Sequence, residues 1–186
     1  MPVSIKRAVF LDRDGVLNRS LVRAGKPYAP AVPEEFEILP GVKAALNDLR
    51  EAGAMLIVVT NQPDVGNGTV RRSDVETMNR HLLDWLPLDE IRVCYHTDAD
   101  ECGCRKPRPG MLTDAAAAHN IGLSQSFMIG DRWRDIGAGQ AAGCSTVFVD
   151  YGYDEARPEA PDHIVASLAE AVPLVVNEFR RKAGNQ

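Results

Sequence analysis

The chain has 186 residues, 45% of them hydrophobic and 25% charged, with a formal net charge of −5. That length supports one hydrophobic core, so a single domain over 1–186 is expected. The acidic balance argues against a nucleic-acid footprint, and no apolar run approaches the roughly 20 residues that a membrane span needs.

Arg7 to Asp12 (RAVFLD) is a short apolar run that stops at acids and Gly15, which predicts a buried strand. It begins within a few residues of Met1, so no signal peptide is expected. Residues 15–40 hold four prolines and no sustained period, which predicts a long loop. From Gly41 to Ala52, Val42, Leu46 and Leu49 fall at helical spacing before Gly53. Ala54 to Thr60 (AMLIVVT) is continuous apolar sequence, the mark of a strand covered on both faces. Ser73 and Glu76 have the spacing of a capping box, which predicts a helix from there to about Leu86. Ile91 to Tyr95 reads as a strand, and residues 96–108 as turns. Helices are expected over Gly110–His119, Trp133–Ala142 and Ala166–Arg181, and strands over Phe127–Gly130 and Ser145–Asp150, with a loop over 154–162.

Strands alternating with helices predict an α/β fold, a doubly wound parallel sheet with helices on both faces. Ligands in such folds sit beyond the carboxyl ends of the strands. The residues that follow the strands are Asp12 and Asp14, then Thr60-Asn61-Gln62, then a cysteine loop ending at Lys106, then Asp131 and Asp135. Asp12 and Asp14 are two apart on extended chain and can address one site. One carboxylate can serve as nucleophile while the other protonates a leaving oxygen. Taken alone, Asp-x-Asp-Gly is equally a solvated acidic turn.

Three of the four cysteines lie within eleven positions, and His96 stands among them. Such clustering reads as metal binding rather than a disulfide framework, and free thiols fit the cytoplasm. Cys94-x-His96-x5-Cys102-x-Cys104 offers three thiolates and one imidazole. Four protein ligands suit tetrahedral Zn²⁺ in a closed, structural site over residues 94–108. Cys144, His81, His119 and His163 fall outside this pattern.

Taken together, Asp12-Arg13-Asp14-Gly15-Val16, Thr60 after a strand, Lys106, and Gly130-Asp131 with Asp135 resemble the four motifs of the haloacid dehalogenase superfamily of phosphatases. The resemblance spans roughly residues 7–150. It implies a Rossmann-like fold, here without a large cap domain, and an aspartyl-phosphate formed on Asp12 with Asp14 as general acid and base. It also implies that Thr60 and Lys106 hold the phosphoryl oxygens and that Mg²⁺ binds at Asp12, Asp14 and Asp131, with Asp135 in support. Mg²⁺ and the Lys106 ammonium would cancel the repulsion between a carboxylate and a phosphate dianion.

The cysteine loop and Arg105-Lys106-Pro107 narrow the resemblance to a bacterial branch whose members act on heptose bisphosphate or histidinol phosphate. Pro109-Gly110-Met111 is closer to the heptose side. Asn61, Gln62, Arg105 and Arg132 are then the expected substrate contacts. Two segments depart from that branch: residues 18–33 are longer, and Pro63-Asp64-Val65-Gly66-Asn67-Gly68 lacks the expected Arg before its final Gly. The expected partner is a small phosphorylated molecule, with no nucleic acid and no membrane, and the expected state is a monomer. A receiver domain would instead place its acids on different strands, and a zinc nucleic-acid module would be basic.

Overall fold

The structure is a computed structural model describing residues 5–183. The expected domain limits of 1 and 186 lie outside the described residues. Arg7–Leu11 forms β1, in which Ala8 to Leu11 are completely buried. Successive side chains of a strand point to opposite faces. Val9 and Leu11, with Leu56 and Val58, pack against Leu46, Leu49 and Val175 on one face. Ala8 and Phe10, with Ile57 and Val59, pack against Met111, Leu112 and Ala138 on the other. This two-sided burial is why the strands read as unbroken apolar runs. Each fully buried Val or Leu contributes about 1.5–3 kcal/mol.

Along the chain, β2 (Leu21–Arg23) and β3 (Lys26–Tyr28) form a hairpin, followed by α1 (Val42–Glu51) and β4 (Ala54–Asn61). The short α2 (Pro63–Gly66), α3 (Arg72–Trp85) and β5 (Glu90–Cys94) come next. Then follow α4 (Gly110–His119), β6 (Phe127–Gly130), α5 (Trp133–Ala142), β7 (Ser145–Val149), β8 (His163–Val165) and α6 (Leu168–Ala183). The main sheet is parallel, in the order β5-β4-β1-β6-β7-β8. From β1 the chain builds outward through β4 to β5, then returns to the other side of β1 to lay down β6, β7 and β8. The reversal opens a crevice beyond the carboxyl end of β1, where a doubly wound fold binds ligands. Among the described residues, no large cap is inserted between the strands.

Three local expectations need correction. Residues 15–40 are not all loop, because Ala24 and Gly25 turn the β2–β3 hairpin with φ of 49° and 76°. Positive φ at both central residues is the geometry of a tight hairpin turn. An alanine there is a faint signal. Second, α3 begins at Arg72, so Ser73 lies inside its first turn and makes no cap. Glu76 pairs instead with Arg72, four residues back, at 2.7 Å. Third, β8 was not anticipated; it is a three-residue edge strand with two exposed positions.

Candidate active site

Asp12 sits one residue past β1, and its N–H still donates to the Ile129 carbonyl oxygen of β6 at 2.9 Å. Its carboxylate is therefore fixed at the crevice. Asp131 follows β6 directly, and Asp135 lies in the first turn of α5. Asp135 Oδ2 accepts the Arg132 N–H at 2.9 Å, a cap on that helix which turns Oδ1 toward the crevice. Lys106 reaches in from the cysteine loop. Its ammonium donates to Asp12 Oδ1 at 2.8 Å, the Val59 carbonyl oxygen at 2.7 Å and Asp135 Oδ1 at 2.6 Å. Lys106 is 1% exposed.

Oxygens of Asp12, Asp131 and Asp135 all lie within 4.8 Å of one another. Three buried carboxylates against one ammonium leave excess negative charge. Burial, then the neighbouring Asp135 carboxylate, raises the Asp12 pKa to about 7, although Lys106 works against them. Asp131 is raised well above the usual carboxylate range by burial and by Asp12 and Asp135. Burial alone would depress Lys106, but Asp12 and Asp135 more than reverse that and hold it protonated. Both oxygens of Asp131 are buried without a hydrogen-bond partner. Orphaned buried carboxylate oxygens are costly, and a hard divalent cation with oxygen ligands satisfies them. The donor set therefore fits Mg²⁺. Gly15 makes this packing possible: it sits at φ 87°, and a Cβ there would come within 1.9 Å of Asp131 Oδ2.

The third carboxylate of this group belongs to Asp135, whereas the sequence pointed to Asp14. The Asp14 carboxylate is held instead by Arg13 Nη2 at 3.0 Å, Asn18 Nδ2 at 2.9 Å and Gln62 Nε2 at 2.8 Å. It lines the same cleft as Asp12, in a space of about 310 Å³. Asn61, Arg105, Lys106, Arg132 and Asp135 line it too. Thr60 and Gln62 do not: both are buried, and Gln62 Nε2 donates to Thr60 Oγ1 at 2.9 Å. Asn61 clamps the Lys106 backbone, donating from Nδ2 to its carbonyl and accepting its N–H at Oδ1, each at 3.1 Å. A larger groove of about 930 Å³ runs between α1 and α6. It is bordered by Arg7 at the start of β1 and contains none of these residues.

Cys94, His96, Cys102 and Cys104 converge at the mouth of the Lys106 loop. Their sulfurs are 3.3–3.7 Å apart, and His96 Nδ1 is 3.3 Å from Cys104 and 3.6 Å from Cys94. A tetrahedron with Zn–S bonds of about 2.3 Å has S···S edges of about 3.8 Å, so the four atoms need little movement to hold zinc. Burial, with a hydrogen bond to Cys104, pushes the Cys94 thiol up to about 12. Cys102 is brought down to about 7, because hydrogen bonds from Cys104 and the backbone outweigh its burial.

Several of the cleft's outer residues carry no signal in the sequence. Arg134 and the hairpin residues Lys26 and Tyr28 also line it. Arg132 donates to Glu155 at 2.8 Å, and Asp98 accepts from both Arg105 and Arg134. Those pairings span up to 36 residues of chain and leave no local pattern.

Comparison with known proteins identifies the family. Residues 103–171 match the HAD-hydrolase-like family model. The chain is 36% identical over 143 residues to a D-glycero-beta-D-manno-heptose-1,7-bisphosphate 7-phosphatase of Helicobacter pylori, covering 74% of this chain and 79% of that protein. A D-glycero-alpha-D-manno-heptose-1,7-bisphosphate 7-phosphatase of Mycobacterium tuberculosis is 38% identical over 150 residues, covering 75% and 77%. The crystal structure of a D,D-heptose 1,7-bisphosphate phosphatase from B. bronchiseptica, complexed with magnesium and phosphate, superposes with a TM-score of 0.78. It is 28% identical, with 92% of this chain and 99% of that one covered.

Proposed function

The chain belongs to the HAD-like phosphatases, among relatives of the heptose-1,7-bisphosphate 7-phosphatases, and from that premise we propose that it removes one phosphate from a small sugar bisphosphate through a phosphorylated Asp12. D-glycero-D-manno-heptose 1,7-bisphosphate, converted to heptose 1-phosphate, is the substrate this reading favours. The single observation that carries it is Asp12 at the crevice, 2.8 Å from the Lys106 ammonium and beside the unpartnered Asp131 carboxylate.

In this reading an Asp12 carboxylate oxygen attacks phosphorus, and the bond to the leaving sugar oxygen breaks. Asp14 gives that oxygen a proton and then takes one from the water that cleaves the aspartyl-phosphate. Lys106 stabilises the phosphoryl oxygens, and one of its three present contacts must yield to do so. Thr60 supports the same group through a small rotation from Gln62. Asp12 and Asp131 would hold Mg²⁺, with Asp135 in support. When bound, the ion supplies positive charge against the incoming dianion. Arg105 and Arg132 meet the second phosphate. Residues 1–186 act as a single catalytic domain, and the cysteine loop holds structural zinc.

The test is phosphate release in the presence of Mg²⁺ from a set of sugar mono- and bisphosphates and histidinol phosphate, with Asp12→Asn alongside. The bisphosphate should be preferred. A folded Asp12→Asn protein should lose several orders of magnitude in kcat, roughly 10³-fold or more. A preference for histidinol phosphate would overturn the substrate, and near-normal turnover by Asp12→Asn would overturn the nucleophile.

A further inference from the structure

We infer that Arg134 is a specificity-determining residue, which together with Arg105 forms a two-guanidinium seat for the substrate's distal anion. The inference rests on the bisphosphate reading above and extends it to a residue that reading does not use.

The geometry starts at Asp98, which lies outside the cleft and is 66% exposed. Its Oδ1 accepts from Arg105 Nε at 2.8 Å and from Arg134 Nη1 at 3.1 Å, and its Oδ2 accepts from Arg134 Nη2 at 3.2 Å. One carboxylate thus aligns two guanidinium groups from behind. Both line the cleft, and both are largely sheltered, with side chains 12% and 26% exposed. Two cations on one anion leave a net positive charge facing inward. Arg105 Nη1 is buried with no hydrogen-bond partner. A buried donor of this kind costs stability unless something accepts from it, and a phosphate oxygen is the acceptor that matches a guanidinium.

Arg134 is also tied down on its other sides. Nη1 reaches the Lys106 carbonyl oxygen at 3.5 Å, and the guanidinium carbon lies 4.8 Å from the centre of the Trp133 ring. Side-chain entropy lost on binding is small when the group is already held. Arg132, the other guanidinium assigned to that phosphate, gives its Nε and Nη2 to Glu155 and has only its remaining N–H groups to offer, so a further cation strengthens the seat. Asp12 and Asp14 follow β1 and Asp135 begins α5, whereas Arg105 and Arg134 are joined through Asp98, and Asp64 and Glu155 are the other acids of the lining. A molecule with phosphate at both ends satisfies both regions.

The experiment compares Arg134→Gln and Arg134→Lys with the unaltered enzyme, on a sugar bisphosphate and on the same sugar lacking the distal phosphate. Arg134→Gln should lower kcat/KM for the bisphosphate by roughly tenfold or more, chiefly through KM, as expected for one charge-assisted contact. The monophosphate should lose roughly threefold at most, and Arg134→Lys should recover part of the loss. Equal losses on both substrates, or no loss on the bisphosphate, would overturn the assignment. An unaltered enzyme with no preference for the bisphosphate would overturn the bisphosphate reading and this inference with it. An unaltered enzyme that keeps the preference while Arg134→Gln is indifferent would overturn the inference alone.

Discussion

Asp131 shows how a single side chain can be set against the stability of the fold that holds it. Its carboxylate is buried beside Asp12 and Asp135 with neither oxygen hydrogen-bonded, and Lys106 offsets only part of the charge. Sites tuned for function are where such conflicts concentrate. The consequence for stability has a definite sign. Asp12 has a folded pKa of about 7 against an ordinary 3.8, so between those values the folded protein binds more protons than the unfolded chain. Metal-free stability therefore falls as pH rises across that window, the reverse of a salt-bridged carboxylate. Mg²⁺ removes the conflict and should flatten the slope. Asp131→Asn should raise the thermal midpoint of the metal-free protein by roughly 3 °C or more, at about 2–4 °C per kcal/mol. It should also abolish the stabilisation by Mg²⁺. Thermal melts in EDTA and in Mg²⁺ at several pH values check this, and a lower metal-free midpoint for Asp131→Asn would refute it. Asp12 and Asp131 were legible because each follows a strand that its own apolar run announces, and Lys106 because it closes the cysteine loop. Asp98 and Arg134 were not, because their meaning lies in a contact across 36 residues. Asp14 was half legible: its position two residues on was read, but its partner Asn18 depends on the tight turn over residues 13–18, and Gln62 on how β4 pairs with β1.

At the level of elements, the cysteine loop works as a bracket. A single residue, Arg105, separates Cys104 from Lys106, and Asn61 at the end of β4 grips the Lys106 peptide from the other side. Gly110 N–H donates to the Gly103 carbonyl at 3.1 Å, so the loop also closes onto the start of α4. With zinc bound, four ligands would fix one end of this bracket and Asn61 the other. Cys102→Ser should lower bound zinc well below one equivalent and reduce kcat by roughly 10-fold or more, through a loosened Lys106. Brief EDTA treatment of the unaltered protein should act differently. It should remove oxygen-ligated Mg²⁺, leave thiolate-bound zinc, and be reversed by Mg²⁺ alone. Zinc content by mass spectrometry and activity before and after treatment separate the two metals. Full zinc and full activity in Cys102→Ser would refute the bracket. The loop's cluster of three cysteines and one histidine was readable from spacing alone, since thiols and imidazole so close together have few other uses. The β2–β3 hairpin was not, because a Pro-containing strand and an Ala-Gly turn weaken both of its usual signals. The expected cap at Ser73 failed for a related reason. Arg71 and Arg72 each found an acid within the helix's first turns, and the chain entered the helix before Ser73 could cap it.

Across the whole molecule, charge is distributed against its average. The chain carries −5, yet the cleft lining sets five cations, Lys26, Arg105, Lys106, Arg132 and Arg134, against five acids, Asp12, Asp14, Asp64, Asp135 and Glu155, so it is less negative than the protein as a whole. An anionic substrate is repelled by the protein at large and drawn toward one mouth. Walls of low dielectric around that mouth focus the field. The crevice at the strand-order reversal adds the N-terminal end of α5, whose backbone dipole also favours negative charge. Substrate capture should therefore depend on salt more than chemistry does. Raising KCl from about 50 to about 500 mM shortens the screening length from roughly 14 to roughly 4 Å. KM for the bisphosphate should rise several-fold over that range, KM for the matched monophosphate should rise less, and kcat for both should change little. Steady-state kinetics at four or five salt concentrations decide it. The same salt series on Arg134→Gln should show a shallower rise, because one of the cations that salt would screen is gone. A bisphosphate KM indifferent to salt would mean that the outer guanidiniums are neutralised by Asp98 and Glu155 before substrate arrives, and that the cleft recognises its substrate by shape and contact alone.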